Sequence, residues 1–248
     1  MANISAVIIT YNVASHIGRC IQSLQGVADE ILVADSYSTD ATADIARSLG
    51  AKVISLDWEG FSKTKNKAQQ LAAHDYILSM DADEELSEAL KASIVKEKAN
   101  LKGAYRFNRL NNYYGSWLRY GGAYPDRKIR LFPRQHARWE GEVHEKLVLK
   151  PNETVIALKG DLLHYTSQSR EEHLARIEKY AYLAAQQAYA QGKRYRAINM
   201  WLAPVVRFVK IYVVKGGFLD GKAGWHYARL SAYSLYLRQV KLKQLQAV

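Results

Sequence analysis

Short unbroken apolar runs alternate with longer amphipathic stretches through the first third of the chain. Ile4–Thr10, Glu30–Asp35, Ala51–Leu56 and Asp75–Met80 are runs of the first kind, and continuous apolar segments of this length read as strands covered on both faces. Between them, apolar residues recur three or four apart. Ile17, Ile21 and Leu24 predict a helix from Ser15 or His16 through Leu24, a second helix spans Ala41–Leu49 and is closed by Gly50, and a third spans Phe61–Ala73. Strand, helix, strand, helix is the order of a parallel sheet with crossover helices. In such a sheet ligands bind in the crevice beyond the carboxyl ends of the strands, and the residues found there are Tyr11-Asn12, Asp35 and Asp81-Ala82-Asp83.

The acid pair is the most informative of these. Alternation along an extended strand would turn Asp81 and Asp83 to one side and the small Ala82 to the other, so both could reach one hard divalent cation that also grips phosphates. A helix is expected from near Leu86, which leaves a plainer reading open: Asp83, Glu84 and Glu85 would serve as helix caps and dipole partners. No Gly-x-Gly-x-x-Gly turn and no Walker lysine loop follows a strand. A bound nucleotide would therefore be held by side chains, a base pocket and a metal.

Charge divides the chain in two. The 248 residues carry a net charge of +11, but residues 1–100 sum to −5 and residues 101–248 to +16. The second part is expected to meet something anionic: nucleic acid, a membrane surface or a phosphorylated substrate. A single cysteine, Cys20, excludes an internal disulfide framework and fits a reducing compartment. No basic leader precedes the first strand, so no secretory signal is expected.

Three segments in order, Val7-Ile8-Ile9-Thr10-Tyr11-Asn12, Ile31 through Thr42, and Leu78-Ser79-Met80-Asp81-Ala82-Asp83-Glu84, resemble the signatures of glycosyltransferase family 2, the inverting GT-A enzymes. Within that family the chain is most similar to lipopolysaccharide core β-1,4-glucosyltransferases. That similarity continues through Trp58-Glu59-Gly60-Phe61, Lys65-Asn66, Tyr124-Pro125-Asp126-Arg127, Arg130-Leu131-Phe132, Val143-His144-Glu145, Leu162-Leu163-His164-Tyr165 and Gly216 to Gly221. It implies a GT-A nucleotide-diphospho-sugar transferase fold over residues 1–165, with a nucleotide-sugar half at 1–100 and an acceptor half at 101–165. Residues 166–248 would form a helical, membrane-associating region.

The resemblance also implies roles. Asp81 and Asp83 would bind Mg²⁺ or Mn²⁺, with His164 as a third ligand; a histidine ending an apolar strand is otherwise a core residue. Thr10, Tyr11, Asn12 and Asp35 would hold the base and ribose of a UDP-sugar, UDP-glucose favoured. Lys65 would help bind the nucleotide sugar, and Arg127 and Arg130 would suit the diphosphate or a phosphorylated acceptor. Lys128, Arg134 and Arg138 extend that basic run, which otherwise reads as a solvated strand face. Glu145 is the first choice for general base and Asp126 the second, with a salt bridge to nearby arginines as the ordinary alternative for either. One departure is Tyr37, which stands where glycine is usual in the second signature. A residue with a Cβ takes positive φ less readily, which predicts an altered turn and leaves Ser36 in doubt as a base contact.

The last eighty residues follow another pattern. A long helix is predicted from about Arg170 to Gln191, a second over 195–215 with Trp201, Val205, Phe208 and Tyr212 on one face, and a third from Lys222 to Leu245. Pro204, Arg207 and Lys210 interrupt the second, so an in-plane amphipathic helix is expected rather than a spanning one. The expected reaction is transfer of a sugar to a lipid-linked saccharide, the heptose of the lipopolysaccharide inner core, by a peripheral protein on the anionic cytoplasmic membrane face. Alternatives are a glycosyltransferase of another surface polysaccharide, a nucleotidyltransferase, which would need a glycine-rich loop after the first strand, and a non-catalytic membrane or nucleic-acid binder. No nucleic-acid partner is expected, because such a partner leaves the aligned acids unexplained.

Overall fold

The computed structural model describes residues 3–141, 145–166 and 170–246, with the backbone alone for 170–173. The chain forms two compact units, residues 1–109 with 126–164, and residues 110–125 with 165–248. The segment 110–125 thus groups with the C-terminal helices.

The first unit opens with the predicted alternation: β1 Ile4–Thr10, α1 Ala14–Leu24, β2 Glu30–Asp35, α2 Thr42–Ser48, β3 Lys52–Ser55, α3 Phe61–Gln70 and β4 Tyr76–Asp81. β2 and β4 flank β1 in parallel, with Thr10 level with Asp35 and Ile9 level with Asp81. This register brings all three strand ends to one edge. Six of the seven β1 residues are buried, which is why its sequence shows no alternation.

After β4 the chain departs from expectation. Strand β4 stops at Asp81, residues 82 and 83 make a turn, and a short strand, β5 Glu84–Leu86, precedes helix α4 Glu88–Glu97. Ser87 caps α4, its hydroxyl accepting from the Leu90 amide. β6 Ala104–Tyr113, β7 Ser116–Leu118, β8 Asp126–Pro133, β9 Ala137–Glu140, β10 Lys146–Leu149 and β11 Val155–Tyr165 follow. The main sheet runs β3-β2-β1-β4-β8-β6-β11-β5, and β9 and β10 form a separate hairpin. The core lies on both faces of this sheet, with Ile4, Ile8, Ile17, Ile21, Tyr105 and Phe107 in one cluster and Val7, Leu32, Ile77 and Phe132 in the other.

Strand β11 lies beside β5, with His164 level with Glu84. Its close approach to α4 depends on Gly160, at φ +98°, where a Cβ would sit 2.3 Å from the Leu90 amide nitrogen.

In the second unit, α5 Arg170–Ala190, α6 Ala197–Val209 with a π-turn over Lys210–Val214, and α7 Gly221–Gln246 pack together. The aromatic stripe expected on α6 divides. Phe208 and Tyr212 pack edge-on against Trp225 of α7 and the Trp201 ring lies 5.7 Å from that of Tyr236 of the same helix, while Ile198, Leu202, Val205, Val206 and Val209 remain exposed.

Replacing Gly160 by alanine combines an unfavourable φ with a backbone clash, so a loss of at least about 2 kcal/mol is expected. Urea unfolding measures it, and an unchanged midpoint would mean that α4 can retreat from β11 without cost.

Candidate active site

Three loops meet at the carboxyl edge of β1, β2 and β4. The first two are laced to each other. Asp35, buried at the end of β2, accepts from the Thr10 hydroxyl at 2.8 Å, the Ser38 hydroxyl at 2.6 Å and the Ser38 amide at 2.8 Å. Asn12 donates its amide to Ser38 Oγ and accepts from the Thr39 amide, both at 2.8 Å. Asp40 accepts from the Ala14 amide at 3.1 Å and from Thr42. Ser38 and Asp40 lie in the turn beyond the end of β2, where strand periodicity does not reach. Their signal was the Ser/Thr/Asp density of the second turn.

Tyr37 does adopt the left-handed region, at φ 58°. The hydrogen bonds from Ser38 to Asp35 brace the turn around the Cβ, and the ring is 61% exposed. Tyr11 is likewise exposed, at 59%, on the adjoining loop. Ser36 Oγ is buried with no hydrogen-bond partner among the described residues, the kind of polar atom that an incoming ligand can satisfy.

At the third loop the expected acid pair parts. Because β4 ends at Asp81, strand alternation does not carry over to Asp83. The two oxygens of Asp81 accept from Lys65 Nζ at 2.8 Å and Arg130 Nη2 at 2.6 Å. Asp83 Oδ2 instead lies 3.3 Å from His164 Nε2, a meeting that the pairing of β11 with β5 makes possible.

Lys65 and Arg130 belong to a longer chain of alternating charges. Arg130 Nη2 also donates to Glu84 Oε1 at 2.5 Å, Arg109 reaches the same oxygen at 3.4 Å, and Arg109 grips Asp126 Oδ2 through Nε at 2.9 Å and Nη2 at 2.7 Å. Lys128 lies 3.2 Å from the other oxygen of Asp126. At the opposite end Lys65 reaches Glu145 Oε1 at 3.4 Å, its ammonium 4.5 Å above the Trp139 ring. Glu145, Lys65, Asp81, Arg130, Glu84, Arg109, Asp126 and Lys128 thus form one series of four acids and four bases. Glu84 is fully buried, and its Oε2 accepts from the Asp81 amide at 3.1 Å. Glu84 and Arg109 were not foreseen, since only their position across strands makes them partners.

The electrostatics follow from this arrangement. Burial by itself would raise the pKa of Asp81, but the charges of Arg130 and Lys65 and their hydrogen bonds hold it well below the usual carboxylate range. Arg130 shows the mirror effect: burial opposes its charge, and Asp81 and Glu84 more than restore it, so its pKa is raised. Burial likewise works against ionised Asp126, and Arg109, then Lys128, draw its pKa down.

The remaining basic residues do not converge. Arg134 donates to Ala72 O at 2.8 Å and Asp75 Oδ1 at 3.1 Å, at the start of β4 and so about 20 Å from its carboxyl end at ~3.3 Å per residue. Arg127 and Arg138 are exposed. Val143 and His144 lie outside the described residues.

Among the described residues no group of three or more His, Cys, Asp or Glu side chains could hold a metal ion. The carboxylate of Asp83 and the imidazole of His164 do offer an oxygen and a nitrogen donor side by side. That set fits a cation that takes one or two protein groups and completes its shell with phosphate oxygens and water.

A parallel sheet whose strand ends gather Asp35, Asp81 and Asp83, flanked by an antiparallel segment that contributes Arg130 and His164, is a GT-A architecture. The chain belongs to glycosyl transferase family 2, whose model matches residues 5–138, and it is a glycosyltransferase. It is 30% identical to an uncharacterized glycosyltransferase of Rickettsia typhi, over 99% of this chain and 88% of that one. It is 29% identical to the lipopolysaccharide core biosynthesis glycosyltransferase LpsC of Rhizobium meliloti, over 95% of this chain and 92% of the other. Its fold is similar to that of the mannosyltransferase PcManGT from Pyrobaculum calidifontis, solved with GDP-Man and Mn²⁺, with a TM-score of 0.56 and 13% identity over 98% of this chain and 87% of that one.

Replacing Arg130 by methionine strands two carboxylates and is expected to cost about 3–5 kcal/mol. Groups with a depressed folded pKa, as in Asp81 and Asp126, add stability above the ordinary carboxylate pKa of about 4, and that stability is lost as pH falls toward their folded values. The deficit of Arg130→Met should therefore shrink on acidification. Chemical denaturation at pH 7 and at pH 3, inside the window where the contribution fades, tests this, and a deficit independent of pH would remove the ion series as its source.

Proposed function

We propose that the protein is an inverting, metal-dependent glycosyltransferase that moves a sugar, glucose favoured, from a UDP-sugar to a lipid-linked saccharide, with the heptose of the lipopolysaccharide inner core as acceptor. The observation that carries this reading is that Lys65 ties Glu145 to Asp81 at the carboxyl edge of the parallel strands, beside the Asp83 and His164 pair. Glu145, the cations Lys65 and Arg130, and the oxygen and nitrogen donors of Asp83 and His164 would supply a base, diphosphate contacts and metal ligands. The name of LpsC supports the acceptor class.

In this reading Asp35 and Thr10 hold the base and ribose, Tyr11 stacks on the base, and Asn12 fixes the loop that presents it. Asp83 and His164 would hold Mg²⁺ or Mn²⁺, with Asp81 on the same turn. A divalent cation there would offset charge growing on the departing diphosphate. Lys65 and Arg130 release a share of their charge toward the same oxygens, and Arg127, exposed on β8, extends the cationic side.

An acceptor hydroxyl attacks the anomeric carbon, the bond from that carbon to the diphosphate oxygen breaks, and Glu145 takes the hydroxyl proton. Asp126 suits this work less well. Its carboxylate is gripped on both oxygens and its pKa is lowered, whereas Glu145 meets, among the described residues, one cation at 3.4 Å and has a part-exposed side chain.

The second unit supports a peripheral place on an anionic cytoplasmic leaflet. The apolar stretch Ala197–Val214 is long and apolar enough to cross a membrane, but its inner side packs on α7, which carries Lys222, Arg229, Arg238, Lys241 and Lys243. Spanning would carry those charges into hydrocarbon, so the helix lies in the interface. Residues 193–222 hold seven Lys or Arg and one Asp. A second copy of this face would meet like charge, and an anionic leaflet meets opposite charge.

Glu145→Gln should lower kcat by about 10²–10⁴-fold with UDP-sugar binding intact; if Asp126→Asn does this instead, the roles are exchanged. Chelator and Asp83→Ala should each abolish transfer, and Mn²⁺ or Mg²⁺ should restore only the chelated wild type. Full activity in chelator would end the metal reading.

A further inference from the structure

The second unit contains a cavity of about 250 Å³ that the reaction does not use. Ile177 of α5 and Leu230 and Leu235 of α7 give it an apolar wall, while Arg207 of α6 and Ser231 and Ser234 of α7 supply polar groups. The two serines are three apart and share one side of the helix. Among the described residues the lining holds one cation and no carboxylate. Arg207 also lies in the exposed run of α6, between Val206 and Val209, so the residue that faces the cavity stands on the helix that carries the apolar outer surface.

These features select a ligand class. An arginine with two hydroxyls nearby suits a phosphate ester, which guanidinium binds bidentately. The apolar wall asks for a hydrocarbon portion on the same molecule. The volume is below the roughly 300 Å³ of a drug-sized pocket, which suits a headgroup and the first carbons of its chains rather than a whole lipid.

We infer that this cavity binds the phosphate-bearing headgroup of one anionic lipid drawn from the leaflet against which α6 lies. The inference rests on the membrane reading for the source of the ligand, and it gives that docking a specific contact in place of a diffuse charge effect. Arg207 grips the phosphate, Ser231 and Ser234 donate to its remaining oxygens, and the acyl chains leave along the exposed side of α6.

Calorimetry of the full chain with dihexanoyl phosphatidic acid, monomeric in water, tests the cavity without a bilayer. Saturable binding is expected, at least tenfold weaker for Arg207→Gln and for Ser231→Trp, which fills the cavity. Should Ser231→Trp fail to fold by circular dichroism, Arg207→Gln, altered at an exposed side chain, decides alone. Equal binding by the variants, or equal binding of inorganic phosphate or dihexanoyl phosphatidylcholine, overturns the proposal. Sedimentation of Ile198→Glu, altered at an exposed apolar side chain of α6, with phosphatidylglycerol vesicles reads the docking surface separately. Its retention would refute membrane docking, and with it a leaflet as the source of the ligand, whereas its loss beside failed calorimetry would refute only the cavity.

Discussion

Arg130 and Glu84 are the constraint around which the active site is built. Both are removed from water and neither is tolerable alone, because an uncompensated charge in that position would cost several kcal/mol. Their contact is satisfied only when β8 lies against β4 and β5 follows the turn at Asp83. Glu84 then caps the amide of Asp81 and Arg130 takes its carboxylate. The orientation of the acid at the strand end is thus a by-product of resolving a buried charge.

The same series explains how two carboxylates of one type come to differ. Asp126 closes one end and is held by Arg109 and Lys128, while Glu145 closes the other and shares a single lysine with Asp81. A carboxylate that is to accept a proton must not be stabilised too far in its charged form. How many cations each acid meets is set by strand packing.

The second unit shows a different economy of charge and apolar surface. α6 touches α7 through Trp201 and Phe208 yet buries none of its residues, with basic residues concentrated in the same stretch. An apolar side left in water is costly unless another medium covers it, and the polar character of α7 keeps that medium on one side only.

The sequence by itself determined the parallel half of the fold. β1, β2, β4 and α1 follow from apolar runs and helical spacing, since burial on both faces of a strand leaves its mark on every residue. It also determined which carboxylates stand at strand ends, and the ordered signatures named the family. The tertiary structure alone decided what those carboxylates touch. β5 is three residues long, too short for a period to register, and its presence breaks the alternation expected between Asp81 and Asp83. Glu84, Arg109 and Arg130 come from separate strands brought together across the sheet, and His164 meets Asp83 only because β11 pairs with β5. Tyr37 took a glycine-like conformation because Ser38 and Asp35 hold the turn around it. Local pattern reports burial and period; which charges become neighbours depends on strand order, and no window of sequence contains it.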